Sequence, residues 1–266
     1  MRNIMGRKNK AESKELFDSY YREIYGERWD SLKEAMLKPS NPISLSDKLL
    51  TPYYLDKASL IAAYALPVEK GNKVLDMCAA PGGKTLTIAL RLDGKGSLVS
   101  NDRSPARRQR LRNVIDSCLD ERQKSIITVT GHDSTKWGLY EKDVYDCVLL
   151  DAPCSSERHV LKDETELSKW STNRPKVIAL NQFAMLAAAL DAVRTGGYIL
   201  YSTCSINPEE DDKVIEKLFR KRKDKFELVS INTEKYVEKT QFGYIILPDN
   251  ANGEGPLFFS LIRRIK

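Results

Sequence analysis

Two cysteines, four carboxylates and one glycine-rich segment hold most of the chemical potential of this chain. Cys154 and Cys204 stand 50 residues apart, each in a Pro/Ser/Thr-rich turn after an apolar run. Cys78, Cys118 and Cys147 read instead as ordinary small apolar residues. Asp76, Asp102, Asp133 and Asp151 lie at the ends of strand-like segments. In an open α/β sheet the carboxyl ends of the strands line the ligand crevice, so acids placed there point to a bound small molecule. Asp102 follows Asp76 by 26 residues, close to the offset at which an acid meets a ribose diol. Asp also caps helices and opens turns, so each acid taken singly has a structural explanation.

The glycine-rich segment is Cys78, Ala79, Ala80, Pro81, Gly82, Gly83 and Lys84, followed by Thr85. An apolar run enters it and an apolar helical pattern leaves it, the opening unit of a doubly wound domain. It is not G-x-G-x-x-G. Nor is it the nucleoside-triphosphate loop G-x-x-x-x-G-K-[ST], whose first glycine would fall at Cys78. Triphosphate hydrolysis is therefore disfavoured, and another nucleoside-like cofactor is expected.

These residues need a frame. Residues 1–11 read as a loose basic tail, and a helical pattern runs from Glu12 to Lys38, interrupted at Gly26 and ended by Pro39. Residues 39–54 read as an extended connector before a helix over 58–65. Strands are expected at 73–78, 97–101, 125–130, 144–150, 198–202 and 226–231, with helices at 84–92, 105–119 and 175–194. The segment Ser155 to Arg174 reads as irregular and charged, and Pro208-Glu209-Glu210-Asp211 as an acidic helix start. The tail pairs 242–247 with 257–263 as an antiparallel hairpin. The expected fold is α/β, a mostly parallel seven-stranded sheet with one antiparallel strand, preceded by a short helical extension. The extension occupies 1–55 and the cofactor-binding domain 56–266.

Composition narrows the partners. The 266 residues carry 43 Lys plus Arg against 37 Asp plus Glu, a net charge of +6 that suits a polyanionic partner. Lys10, Lys14, Arg22, Arg28, Lys33 and Lys38 in the extension are candidate contacts, as are Arg107, Arg108, Arg110 and Arg112, which helical spacing cannot place on one face. Five cysteines without a close pair argue against a disulfide scaffold or a structural zinc site, and His132 and His159 are too isolated to suggest a metal. No stretch reaches transmembrane length, and no signal segment follows the charged N-terminus. A reducing, cytoplasmic setting without a membrane partner is expected. No protein partner is deducible.

Three motifs in fixed order make the reading specific: Cys78-Ala-Ala-Pro-Gly-Gly-Lys84, Asp151-Ala-Pro-Cys-Ser155 and Tyr201-Ser-Thr-Cys-Ser-Ile-Asn-Pro-Glu-Glu210. With them, residues 55 to 263 resemble the Nop2/Sun (RsmB-like) family of S-adenosylmethionine-dependent RNA cytosine-5 methyltransferases, which have a Rossmann-like class I methyltransferase fold. Phe17-Asp18-x-Tyr20-Tyr21, Arg28-Trp29 and Cys154-Ser-Ser-Glu-Arg-His159 are most similar to the mitochondrial-type branch acting on ribosomal or transfer RNA. The resemblance implies S-adenosyl-L-methionine as cofactor. It is held by residues 78–84, by Asp102 at the ribose and by Asp133 at the adenine amine, with Asp151 between cofactor and base. The implied partner is RNA, with ribosomal RNA or a ribosomal subunit preferred and transfer RNA as alternative.

It also implies covalent catalysis. Cytosine C5 is too weak a carbon nucleophile to take a methyl directly, whereas a thiolate adding at C6 turns the ring into an enamine-like nucleophile. DNA cytosine-5 methyltransferases use the Pro-Cys cysteine, which would be Cys154. The RNA family uses the Thr-Cys cysteine, Cys204, and assigns Cys154 to product release. Asp151 and Lys84 are the implied polar partners of the base, although Lys84 could instead pair with Asp151. The chain departs from the family in having Ser156 where Gly usually follows Pro-Cys-Ser, and Leu55-Asp56 where Gln often precedes the acid. A non-catalytic RNA-binding or ribosome-assembly protein is the rival reading.

Overall fold

A computed structural model describes residues 10–266 of the chain. The expected basic tail at 1–11 lies outside the described residues except for its last two positions, which open the first helix. The helical stretch is broken at Gly26 as expected, into α1 (Lys10–Tyr25) and α2 (Arg28–Leu37), with Gly26 at φ 58°. The expected connector is ordered into a small antiparallel pair, β1 (Ile43–Leu45) and β2 (Tyr53–Leu55), with Ile43 opposite Leu55. Helix α3 (Lys57–Ala65) follows, its N-terminus capped by Asp56, whose carboxylate accepts from the Ala58 amide at 2.8 Å.

The main unit then alternates: β3 (Lys73–Asp76), α4 (Gly83–Leu92), β4 (Ser97–Asn101), α5 (Pro105–Cys118), the one-turn α6 (Glu121–Lys124), β5 (Ile127–Thr130), the one-turn α7 (Trp137–Tyr140) and β6 (Tyr145–Asp151). Two short helices, α8 (Glu157–Lys162) and α9 (Glu164–Lys169), occupy the segment expected to be irregular. They form because Asp163 ends the first and caps the second, accepting from the Thr165 and Glu166 amides at 2.8 and 3.1 Å. The chain closes with α10 (Arg174–Ala192), β7 (Val193–Thr203), α11 (Asp212–Lys221), β8 (Phe226–Leu228), β9 (Val237–Lys239), β10 (Tyr244–Ile246) and β11 (Leu257–Arg264).

The sheet runs β5-β4-β3-β6-β7-β11-β10-β9, with β8 on a second stretch of β11. The first five strands are parallel, and β11 enters antiparallel to β7. The doubly wound arrangement and the β10–β11 hairpin match expectation. The sheet is wider than seven strands, because β8, β9 and β10, each of three residues, extend its antiparallel side. Of these, β8 and β10 fall within expected strands, and only β9 is unexpected, since three residues carry almost no periodicity for sequence to reveal.

Side chains alternate across the sheet and divide the core. Val148 and Leu150 of β6 face one cluster with α10, whereas Cys147 and Leu149 face the other with α3, α4 and α5. The N-terminal helices belong to the first cluster. Phe17, Tyr21 and Trp29 are fully buried, with Tyr21 stacked on Trp29 at 5.3 Å and Phe17 edge-on to Trp170 at 5.0 Å. Extension and sheet thus share one hydrophobic core. Phe17→Ala is expected to lower the unfolding free energy by about 3–5 kcal/mol while urea denaturation remains a single transition. A separate early transition for the N-terminal helices would contradict the shared core.

Candidate active site

The site is assembled where strand order reverses, around β3, β6 and β7. Asp76 ends β3 beside Leu149, and Asp151 ends β6 opposite Ser202 of β7. That last pairing brings two turns together, one containing Cys154 and the other Cys204. The loop after β3 is fixed by its backbone, with Met77 N donating to Leu149 O at 2.9 Å and Ala79 N to Asn101 O at 2.8 Å. Gly82 has φ 126°, and a Cβ there would lie 3.1 Å from Val114. A Cβ on Gly83 would lie 2.9 Å from Tyr53. The glycines are therefore demanded by packing against α5 and β2, in addition to any ligand they admit.

Two cavities flank Cys78. The larger, about 630 Å³, meets Cys78, Asp102, Asp133, Pro153, Cys154 and Met185. The smaller, about 260 Å³, meets Asp76, Ala79, Ala80, Pro81, Gly82, Gly83, Lys84 and Asp151. The expected cofactor residues therefore line two cavities that share Cys78, with the glycine loop, Lys84 and Asp151 on one and Asp102 and Asp133 on the other. Asp102 is buried, its carboxylate accepting from the Ser104 amide at 2.9 Å and facing Arg107 Nε at 3.3 Å. Asp133 spends one oxygen on the Thr135 amide and hydroxyl, and these bonds hold its carboxyl below the usual range. Its other oxygen, 3.9 Å from Arg103, remains available to a ligand.

The basic residues divide differently from expectation. Arg107 reaches the Ala80 carbonyl at 2.5 Å, and Arg108 reaches the carbonyls of Asp102 and Arg103 at 2.8 and 2.9 Å. Both are engaged in building the crevice, Arg107 while remaining exposed, whereas Arg110 and Arg112 are also exposed on that helix. In the extension Arg22 pairs with Asp30, Arg28 with Glu238 and Asp249, Lys33 with Asp18, and Lys38 with Glu34. Those four are chiefly engaged with acids of their own surface.

Lys84 and Asp151 form a direct ion pair, Nζ to Oδ2 at 2.7 Å. The second Asp151 oxygen accepts from Ser202 Oγ at 2.8 Å. Burial disfavours the Lys84 ammonium, yet Asp151 outweighs it and holds the Lys84 pKa above its ordinary value. Lys84 thus orients and neutralises Asp151.

The two sulfurs meet. Cys154 Sγ and Cys204 Sγ are 2.8 Å apart, and Ser156 Oγ lies 3.1 Å from Cys204 Sγ and 3.5 Å from Cys154 Sγ. Cys204 is exposed, so an incoming ring can reach it. The hydrogen bond between the two sulfurs, assisted by Ser156, holds the Cys204 thiol below its usual pKa against the opposing effects of desolvation, Asp151 and Glu157. The same bond, with burial, pushes the half-buried Cys154 well up. Ser156 adopts left-handed backbone angles, φ 54° and ψ 59°, which cost a residue with a Cβ about 1–2 kcal/mol.

Each cysteine turn is braced by a carboxylate from the other. Glu157 accepts from the Ile206 amide at 3.1 Å and from Ser205 Oγ at 3.2 Å. Glu210 accepts from the Ser155 amide at 2.9 Å and from the Ser155 hydroxyl, and Gln182 donates to it at 3.1 Å. Tyr21 of the extension completes the Glu157 shell at 2.7 Å. The expected acidic helix start leads into α11, which begins at Asp212 with Asp211 at its N-cap position. Glu210 and Asp211 are buried and work as struts, Asp211 accepting from Thr203 Oγ1 at 2.6 Å.

Of the residues expected at the site, Asp102, Asp133 and Cys154 line the larger cavity, Asp151 and Lys84 the smaller, and Cys204 lies against Cys154. Sequence alone identifies Asp76 only as one of the strand-end acids, and it does not place Asn101, Glu157 and Glu210 in the site. Asn101 is fully buried and joins three strand ends, donating to Met77 O and His132 O at 3.1 Å and accepting from the His132 amide at 2.7 Å. Its position immediately before Asp102 was the available signal. Asp76 is buried at the smaller cavity, with Oδ2 accepting from Thr85 Oγ1 at 2.7 Å and Oδ1 lacking a protein partner. Among the described residues no cluster of His, Cys, Asp and Glu could hold a metal ion.

A family model described as 16S rRNA methyltransferase RsmB/F matches residues 63–263. The 5-cytosine rRNA methyltransferase NSUN4 of Xenopus tropicalis is 36% identical over 243 residues, covering 85% of this chain and 60% of its own length. The mitochondrial tRNA (cytosine(34)-C(5))-methyltransferase of Danio rerio is 31% identical over 226 residues, covering 80% of this chain and 60% of its own. The chain thus spans 60% of the length of these curated relatives. A methyltransferase homologue from Pyrococcus horikoshii superposes with a TM-score of 0.74 at 22% identity, over 94% of this chain and 95% of its own. That likeness establishes the fold.

Burial raises Asp76 to about 7. The folded state then holds a proton that the unfolded chain releases near the ordinary carboxyl value, so the Asp76 contribution is full in acid and lost as pH rises towards and through about 7. Without added ligand, Asp76→Asn is expected to lose less stability than the parent between pH 5 and 8, by on the order of a few kcal/mol. Parallel pH-dependent thermal curves for the two proteins would remove Asp76 as the source.

Proposed function

The chain belongs to the Nop2/Sun (RsmB/F) family, and from that premise we propose that it transfers a methyl group from S-adenosyl-L-methionine to C5 of cytosine in RNA. The observation that carries this reading is the Cys154–Cys204 pair, 2.8 Å between sulfurs, beside the acid-lined crevice. A binding or assembly protein has no evident use for two thiols in contact beside such a crevice. Ribosomal RNA is the proposed substrate, supported by the higher identity to the rRNA-modifying relative than to the tRNA-modifying one.

The crevice suits the cofactor on grounds of its own. The unpartnered Asp76 Oδ1 suits an ammonium, and the free oxygen of Asp133 suits an amino donor. Asp102 offers a buried carboxylate to vicinal hydroxyls, and Cys78 to Lys84 form the facing wall. When bound, S-adenosylmethionine supplies an electrophilic methyl group.

The protein side of the reaction follows from the sulfur geometry. Cys204, as thiolate, forms a bond from Sγ to cytosine C6, and the displaced ring electrons make C5 nucleophilic. Asp151, held by Lys84 and Ser202, is fixed to bond the base edge as charge develops. Once C5 carries the methyl and S-adenosylhomocysteine is left, a base takes the C5 proton, and the C–H electron pair re-forms the C5–C6 double bond and expels Cys204 as thiolate, with Cys154 assisting that release. The target base must leave its stack, so a looped or single-stranded segment is the expected substrate.

Incubation with total RNA and with ribosomal subunits, followed by nucleoside analysis, is expected to yield 5-methylcytidine mapped to ribosomal RNA. Product confined to transfer RNA would reassign the substrate, and none above background would favour a binding role. Cys204→Ala is expected to abolish product, and Cys154→Ala to accumulate a denaturation-resistant protein–RNA adduct. The reverse pattern would exchange the two roles.

A further inference from the structure

We infer that Ser156 is a catalytic hydrogen-bond donor, its hydroxyl selecting Cys204 over Cys154 as the sulfur that carries the negative charge. The inference rests on the reading of Cys204 as nucleophile.

Two thiols in contact compete for one anion, and something asymmetric must decide between them. Exposure supplies one asymmetry, since Cys204 is exposed and Cys154 half-buried, and Ser156 Oγ supplies the directed one, 3.1 Å from Cys204 Sγ against 3.5 Å from Cys154 Sγ. A thiolate has no proton to give, so when Cys204 is ionised the serine hydroxyl must be the donor and the sulfur the acceptor. The charged groups around Cys204 do not supply this preference by themselves. Asp151 and Glu157 oppose the thiolate, while Lys84, which favours it, is directly bonded to Asp151.

The backbone makes the side chain harder to dismiss as filler. Ser156 lies in the left-handed region, φ 54° and ψ 59°, where glycine is the unstrained residue. Its Oγ is not engaged in capping the following helix. What the serine contributes over glycine at this turn is one hydroxyl directed at two sulfurs. The same bond serves twice, favouring the attacking thiolate and receiving it again when the Sγ–C6 bond breaks.

The test measures alkylation by iodoacetamide against pH in the full chain, with Cys204 and Cys154 quantified separately by peptide mass spectrometry. Ser156→Gly removes the hydroxyl and relieves the backbone, whereas Ser156→Ala removes it and retains the backbone cost, so a shift shared by both belongs to the hydroxyl. In the parent protein Cys204 is expected to react with the lower midpoint. Both variants should raise that midpoint by about one pH unit, and lower RNA-adduct formation near neutral pH by up to tenfold. Ser156→Gly should keep or raise the thermal midpoint, which separates the effect from misfolding. An unmoved Cys204 midpoint in Ser156→Gly overturns the inference while leaving Cys204 as nucleophile. A parent protein in which Cys154 has the lower midpoint and forms the RNA adduct overturns the nucleophile assignment, and the inference with it.

Discussion

Everything at this site depends on one pairing in the sheet, the parallel alignment of β6 with β7 that sets Asp151 opposite Ser202. Parallel neighbours end on the same edge, so the turns that follow them must emerge side by side. Cys154 is three residues beyond one partner and Cys204 two beyond the other, and their sulfurs come into contact although 50 residues separate them along the chain. A slip of one residue in that register would turn the terminal side chains to the opposite face and part the sulfurs.

Register alone would leave two mobile turns. Glu157 and Glu210 hold them by reaching across, each bonding the backbone of the opposite turn. Burying two carboxylates is costly, and burial raises both, Glu210 to about 7. Hydrogen bonds to Ser155, Ser205, Gln182 and Tyr21 offset that cost. Tyr21 gives the N-terminal helices a part in the site without touching the cysteines. Its ring is packed with Phe17, Trp29 and Trp170 while its hydroxyl meets Glu157, so the aromatic core and the catalytic turns are coupled through one side chain.

Legibility varied with the kind of signal. The strand–loop–helix at 73–92 was plain, because an apolar run, two glycines and a helical repeat lie next to one another. The helices at 157–169 were not, because each has six residues and buries little, while the serines and charges between them suggest a loop. The acids at 209–211 were only partly legible. They do lead into a helix with Asp211 at its N-cap position, but only burial shows that Glu210 also braces the 154–157 turn. The arginines of α5 could not be sorted in advance, since which of them folds back onto Asp102 and Ala80 depends on how the helix lies over the loop.

Residue types and local spacing determined the alternating α/β order, the broken triphosphate loop, the acids at strand ends and the two cysteine turns, because each of these is encoded in a short contiguous stretch. Tertiary structure alone decided that Lys84 is committed to Asp151, that Asp76 retains a bare oxygen in the crevice, and that the two sulfurs meet under the hydroxyl of Ser156. Those facts are distances between residues far apart in the chain. Sequence can nominate such groups, but strand register and burial settle which of them touch and which of them stay charged.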